Sequence, residues 1–244
     1  MLLIKKIHRL LYFLSVLFFF GISFPILYFY SRNPEKYYKQ IVWFRKWISV
    51  ISIHVVGIRF KINYEEEVDW SQPYIICPNH TSILDITALT YLCPQQFSFI
   101  GKEELLKNPV TRIFFKSIDI PVKRESKISA FKAFKKALEL LKKGKSVVIF
   151  PEGKIDEEYP PILHKFKPGA FKMAVENNTA ILPIVIHNAW KLMWDDGRKT
   201  GLKPGVMEIT VLKSIDTHSL SEKNEDLIEA VVYEKMNKVW LNKL

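Results

Sequence analysis

From Leu10 to Tyr30 the chain carries no charged side chain. About 21 residues in helical conformation span roughly 31 Å, the thickness of a bilayer's hydrocarbon core. The run is rich in Phe, Tyr, Leu and Ile, and Lys5, Lys6 and Arg9 precede it. A signal peptide would show a shorter apolar core and a small-residue cleavage site, and Ser31-Arg32-Asn33-Pro34 is not one. The segment is therefore expected to be retained. Arg32, Lys36 and Lys39 follow it, so basic residues flank both ends and the positive-inside rule gives no decisive orientation. Gly21, Ser23 and Pro25 are expected to be able to break the helix in its second half. Tyr37–Val56 is a second amphiphilic stretch, with Trp43, Phe44, Trp47 and Ile51 among Lys39, Arg45 and Lys46. Aromatic rings mixed with cations suit the headgroup boundary. Two arrangements remain open, a spanning helix with an interfacial second helix or a two-helix hairpin dipping into one leaflet. The hairpin is favoured because it puts both basic flanks on one, cytoplasmic, side. Residues 1–56 are read as membrane-anchoring helices and 57–244 as a second, globular domain.

That domain alternates. Short runs rich in β-branched and aromatic residues occur at Gly57–Ile62, Tyr74–Cys77, Phe97–Ile100, Ile118–Val122, Ser146–Phe150, Ala180–Ile186 and Val206–Val211. Between them, Ser126–Lys143 repeats Ile128, Phe131, Phe134, Ala137, Leu138 and Leu141 at helical spacing, and Gly144 stops the pattern. Gly169–Glu176 is another helix, and Ser219-Leu220-Ser221-Glu222 has the form of a capping box opening a last one. The expectation is an α/β domain, a mainly central β-sheet flanked by helices.

Lys and Arg outnumber Asp and Glu by 36 to 25, for a net charge of +11. This balance suits an anionic partner such as phospholipid headgroups or a phosphorylated substrate. Nucleic acid is the weaker choice, since no zinc-finger spacing or RNP-like aromatic motif occurs. Cys77 and Cys93 make no disulfide framework and read as buried hydrophobes of a reducing compartment. Cys77 and His80 form a lone Cys-x-x-His with no second ligand pair, so no metal site is expected.

Chemistry concentrates in two places. His80 and Asp85 lie five positions apart where an apolar run gives way to a helix. A histidine titrates near neutrality and can take and return a proton, and a carboxylate on its far nitrogen fixes the tautomer. The plainer alternative is that Ser82-Ile83-Leu84-Asp85 merely caps the helix. The second place is Phe150-Pro151-Glu152-Gly153, which puts a carboxylate at a strand's end, where open α/β sheets bind ligands, or is simply a turn. His54, His164, His187 and His218 are scattered and read as structural or exposed. Trp190 and Trp194, near Lys191 and Arg198, suit either lipid headgroups or surface packing.

Taken together, Asn79-His80-x-Ser82-x-x-Asp85 and Phe150-Pro151-Glu152-Gly153 closely resemble the glycerol-3-phosphate and 1-acylglycerol-3-phosphate acyltransferase family. Between them, Gly101-Lys102-Glu103-Glu104-Leu105 is similar to that family's Gly-Lys-x-Glu-Leu segment. Ile118–Arg124 resembles its strand ending in a substrate-contacting Arg. Phe166-Lys167-Pro168-Gly169 and Ile181-Leu182-Pro183-Ile184 resemble its later Phe-Lys-x-Gly and Val-Pro-Val segments. The resemblance runs from about Gly57 to Thr217. It implies that His80, oriented by Asp85, deprotonates the free hydroxyl of a lysophospholipid, which attacks the thioester of acyl-CoA or acyl-ACP. It also implies substrate contacts from Asn79, Ser82, Lys102, Arg124, Glu152, Gly153, Lys154 and Lys167, no cofactor beyond the acyl donor as co-substrate, and no metal. The family's Phe-Pro-Glu-Gly-Thr-Arg-Ser reads Phe-Pro-Glu-Gly-Lys154-Ile155-Asp156 here, so the motif Arg is missing. Lys154 lacks an arginine's bidentate fork, which leaves Arg124 and Lys167 to hold an anionic headgroup.

The expected protein is thus an enzyme of phospholipid biosynthesis at the cytoplasmic face of a cell membrane, acting on lysophosphatidic acid or on another lysolipid. A thioesterase and a non-catalytic lipid-binding protein are the rivals. The second would not need His80, Asp85 and Glu152 together.

Overall fold

The structure is a computed structural model and describes residues 2–94, 96–123, 125–155, 158–217 and 224–242. The uncharged run forms a single helix, α1 (Leu2–Ser31), followed by α2 (Tyr38–Val55). The two pack on each other as a hairpin. The expected break does not occur: α1 continues through Gly21, Ser23 and Pro25. A proline ring crowds the carbonyl four residues back; here that residue is Gly21, which has open space around it. Ser23 adds a hydrogen bond from Oγ to the Phe19 carbonyl, 2.7 Å.

The remaining order is β1 (Ile58–Tyr64), β2 (Ile75–Pro78), α3 (Leu84–Leu92), β3 (Phe97–Lys102), α4 (Pro109–Ser117), β4 (Ile120–Val122), α5 (Lys127–Lys142), β5 (Ser146–Val148), α6 (Gly169–Asn177), β6 (Ile181–Ile186), α7 (Ala189–Leu192), β7 (Gly205–Val211) and α8 (Glu225–Leu241). Among the described residues the strands make one seven-stranded sheet in the order β1-β7-β6-β2-β5-β3-β4. It is parallel throughout except between β6 and β7. Buried residues on its two faces form separate clusters. One gathers α1, α2, α3 and α4 through Leu27, Ile41, Leu89 and Phe114. The other gathers α5, α6 and α8 through Ala137, Phe171 and Met236. Both faces covered is the condition a parallel sheet requires.

Local signals set most boundaries. Ser126 caps α5 by accepting from Ser129 N. Asn108 caps α4, with Pro109 in the first turn. The last helix begins later than the capping-box pattern suggests: Asn224 is its cap, accepting from Asp226 N at 2.9 Å, while Ser219–Glu222 lie outside the described residues. The expected strand from Ile118 is shortened to β4, because Ile118 still closes α4 and the buried Asp119 carboxylate turns toward Arg45.

That ion pair ties the helical hairpin to the sheet. Arg45 Nη1 donates to Asp119 Oδ1 at 2.7 Å and Nη2 to the Phe97 carbonyl at 2.9 Å. Asp119 Oδ1 also accepts from Phe99 N. The guanidinium lies over the rings of Phe97 and Phe99. Removing one buried partner leaves the other charge uncompensated, at a cost of about 3–5 kcal/mol. Asp119→Ala is expected to lower the denaturant midpoint of the detergent-solubilised protein strongly. The double change Arg45→Met, Asp119→Leu should recover much of that loss. A midpoint unchanged in Asp119→Ala would show that the pair does not hold the hairpin.

Candidate active site

Strand order decides which residues meet. β2 and β5 are parallel neighbours, so their carboxyl ends lie side by side, and the segments that follow them, Asn79–Asp85 and Phe150–Gly153, face each other. This edge is where ligands bind in open α/β sheets.

Pro78 closes β2, and Asn79 continues its ladder with a side chain. Its Oδ1 accepts from Ile186 N at 2.7 Å and its Nδ2 donates to the Ile186 carbonyl at 3.1 Å. The amide mimics a peptide unit, so Asn79, at 1% exposure, fixes the direction in which the chain leaves the sheet. The next residue is His80. Its backbone N–H donates to Glu152 Oε1 at 2.7 Å, and Glu152 Oε2 accepts from His164 N at 2.9 Å. The Glu152 carboxylate, 3% exposed, thus holds the main chain of one motif from the end of the neighbouring strand.

Asp85, in the first turn of α3, is fully buried. A single oxygen, Oδ2, accepts from Thr81 N at 2.7 Å and Ser82 N at 2.8 Å, and lies 3.0 Å from His80 Nδ1. An oxygen already taking two backbone donors is an acceptor toward the ring as well, so Nδ1 carries the proton and Nε2 presents its lone pair on the opposite side. The His80 ring stacks on Phe150, with centroids 3.9 Å apart and planes at 22°. Ring orientation is therefore set twice, by a carboxylate at one edge and an aromatic face below. The imidazole keeps 16% exposure, enough to be reached. The segment also turns the chain into α3, since Ser82 Oγ accepts from Leu84 N at 3.1 Å.

Gly153 has φ of 72°, a left-handed conformation that favours glycine. A methyl there would lie 2.9 Å from the Lys167 side chain. Lys167 is thereby drawn over the Glu152-Gly153 turn, and its own N–H donates to the Pro151 carbonyl at 2.9 Å. Lys154 follows in the same turn and is exposed. Lys102 ends β3, the strand beside β5, in register with Val122 at the end of β4. Lys102, Lys154 and Lys167 therefore share the carboxyl edge with His80. Arg124 lies outside the described residues.

Other groups are accounted for away from this edge. Cys77 is inside β2, and burial pushes its thiol well up. Cys93 is raised to about 12 for the same reason. Neither is available as a thiolate nucleophile. His54 Nδ1 lies 2.7 Å from the Val50 carbonyl, and His187 Nε2 bonds Thr210 Oγ1. His218 lies outside the described residues. Sequence reasoning missed Phe150 as the ring's platform, although it stands in the quoted motif. It also missed Asp195, whose backbone pairs with both Thr81 and Ile83 and for which no sequence pattern gives a sign.

A family model described as Acyltransferase matches residues 59–187, more than half of the chain. A chloroplastic 1-acyl-sn-glycerol-3-phosphate acyltransferase of Arabidopsis thaliana is 32% identical over 207 residues, covering 83% of this chain and 55% of that protein. A 1-acyl-sn-glycerol-3-phosphate acyltransferase of Borreliella burgdorferi is 33% identical over 141 residues, covering 57% of this chain and 55% of that one. The chain thus spans about half the length of these relatives. The crystal structure of the 1-acyl-sn-glycerophosphate acyltransferase of Thermotoga maritima superposes with a TM-score of 0.77 at 22% identity, covering 98% of this chain and 97% of that one, and so shares the fold. With the His80–Asp85 pair and the Glu152 turn meeting at one sheet edge inside the matched region, this chain belongs to the acyltransferase family of the 1-acylglycerol-3-phosphate acyltransferases.

Proposed function

We propose that this chain is a membrane-associated O-acyltransferase that moves an acyl group from acyl-CoA or acyl-ACP to the free hydroxyl of lysophosphatidic acid, giving phosphatidic acid. The observation that carries the reading is the imidazole fixed between Asp85 and Phe150 with Nε2 turned away from the carboxylate. His80 Nε2 takes the proton of the acceptor hydroxyl as its oxygen bonds to the thioester carbonyl carbon. Asp85 stabilises the imidazolium so formed. The tetrahedral intermediate collapses with cleavage of the C–S bond, and the imidazolium returns the proton to the departing sulfur. No acyl-enzyme is formed, consistent with two cysteines that are buried as thiols. The reaction needs neither a metal nor a cofactor beyond the donor.

The acceptor follows from the relatives' activity and from charge. Lys167, Lys102 and Lys154, with Arg124 in sequence nearby, supply positive charge along the edge where a phosphate monoester would lie. With Ile155 where the family places its motif arginine, and Lys154 one position before it, another lysolipid is the alternative acceptor. Asn79 and Glu152 serve this site through the main chain they hold, and Ser82 through the turn after His80.

Membrane attachment rests on α1, which is long and apolar enough to cross a membrane by length and composition. Only a stripe of it is buried, comprising Tyr12, Ser15, Phe20, Ser23 and Leu27. Leu3, Leu10, Leu14, Phe18, Ile22 and Phe29 are exposed. The helix is held near its start, where Lys5 O accepts from Leu202 N, and farther along by packing on α4. A helix bound lengthwise to the domain with a second apolar face outward fits burial in one leaflet. In this reading the catalytic edge faces the cytoplasm.

The direct test is thiol release from an acyl-CoA by purified, detergent-solubilised protein with and without lysophosphatidic acid, following the lipid product. Release that depends on the acceptor, forms phosphatidic acid and vanishes in a folded His80→Ala variant is expected. Equal release without any acceptor would instead describe a thioesterase. Lys167→Gln is expected to raise KM for the phosphorylated acceptor roughly tenfold, the scale of one lost charge-assisted hydrogen bond, with little change for the donor. The same change in both constants would remove Lys167 from the headgroup.

A further inference from the structure

A cavity of about 320 Å³ lies where the start of α1 meets the turns following α7, and it does not include the catalytic edge. Lys5, Lys191 and Lys203 line it, with Tyr159, Trp190 and Thr200. These residues come from separate segments drawn together by the main chain. Gly201, at φ 72°, would place a methyl 2.5 Å from the Lys5 backbone, so only glycine lets α1 approach this turn. Leu202 N donates to the Lys5 carbonyl at 2.9 Å, and Lys203 N to the Leu192 carbonyl at 3.0 Å. Trp190 is fixed by Nε1 donating to the His187 carbonyl, with the Tyr159 ring edge-on at 5.2 Å and the Lys191 ammonium 5.0 Å from its ring.

The charges here are not internally balanced. Asp196 is already engaged, with Arg198 Nε at 2.7 Å and with the Arg9 side chain. Among the described residues no carboxylate pairs with Lys5, Lys191 or Lys203. Three lysines lining one concavity, none of them paired with a carboxylate among the described residues, favour a bound anion. The surroundings are apolar and exposed. Exposed Leu2, Leu3, Ile4 and Ile7 flank Lys5 on α1, and Tyr159 at the cavity is exposed as well. Cations and aromatic rings beside an exposed apolar helix match the level of lipid phosphates in a bilayer.

We infer that this cavity binds the phosphate headgroup of an anionic bilayer phospholipid, separately from the acceptor at the catalytic edge. The inference rests on the membrane reading above and adds to it a defined headgroup site. It also has a route to the catalytic segment, since Asp195, in the turn between Trp190 and Gly201, pairs through its backbone with Thr81 and Ile83 on either side of Ser82. Filling the cavity would steady the turn against which the His80 loop is built.

The test is flotation of the full chain with vesicles of phosphatidylcholine alone and of phosphatidylcholine containing phosphatidylglycerol. The comparison uses wild type, Lys191→Gln/Lys203→Gln and, as a charge-matched control, Lys132→Gln/Lys135→Gln on α5. The wild type is expected to prefer the phosphatidylglycerol vesicles. The cavity variant should lose about thirtyfold of that preference, the order expected for two lysines at the surface, and keep its binding to neutral vesicles. The control should lose much less. Equal losses in the two variants would show a diffuse basic surface and overturn the site. Release from the vesicles by soluble glycerol 3-phosphate would assign the cavity to a free phosphate ester instead. Failure of the wild type to bind either vesicle would remove the membrane reading and this inference with it.

Discussion

The organisation of this protein turns on one oxygen. Asp85 Oδ2 takes the N–H groups of Thr81 and Ser82 and faces Nδ1 of His80, so a single buried acceptor starts α3, shapes the turn before it and orients the imidazole. The carboxylate can do this because it sits at a helix start, where main-chain donors are otherwise unmatched and the helix dipole favours negative charge. The rest of the fold brings the second motif to this point. Parallel pairing of β2 with β5 sets Glu152 against the His80 main chain, and the stacked Phe150 supports the ring from the same side.

Much of this was legible in the sequence, for identifiable reasons. The strands lie within short runs of β-branched and aromatic residues, although β4 and β5 are shorter than their runs. Helix α5 is bounded by Ser126 and by Gly144 after its end, as the periodicity predicts. The meeting of His80 with Asp85 was legible because a residue just before a helix can fold back over its first turn. Less could be read where a role depends on partners distant in sequence. Asn79 looks like a substrate ligand, yet its amide serves as a rung of the sheet against Ile186, more than a hundred positions away. Asp119 looks like part of a strand, and its use is decided by Arg45 on the helical hairpin. Pro25 reads as a break, but α1 passes through it, with Ser23 and Leu27 buried before and after it. The antiparallel turn of β7 into the sheet likewise has no local signature.

The candidate active site and the basic cavity are linked through the main chain. The apolar helix α1 lies along the domain, its start is gripped by the turn at Gly201 and Leu202, and the same stretch of chain reaches the His80 loop through Asp195. Under the proposed function the acceptor comes from a membrane and the donor from water. Here the exposed apolar helix face, the basic cavity at its start and the basic carboxyl edge of the sheet belong to one connected arrangement.

The central claim is that Asp85 holds His80 with its proton on Nδ1, leaving Nε2 as the base. Nitrogen-15 NMR of histidine-labelled protein, assigned by comparison with His80→Ala, reads the tautomer directly. Neutral His80 is predicted to carry its proton on Nδ1 in the wild type and to lose that preference in Asp85→Asn. A neutral His80 protonated mainly on Nε2 in the wild type would contradict the account, because the nitrogen assigned to accept the hydroxyl proton would already hold one.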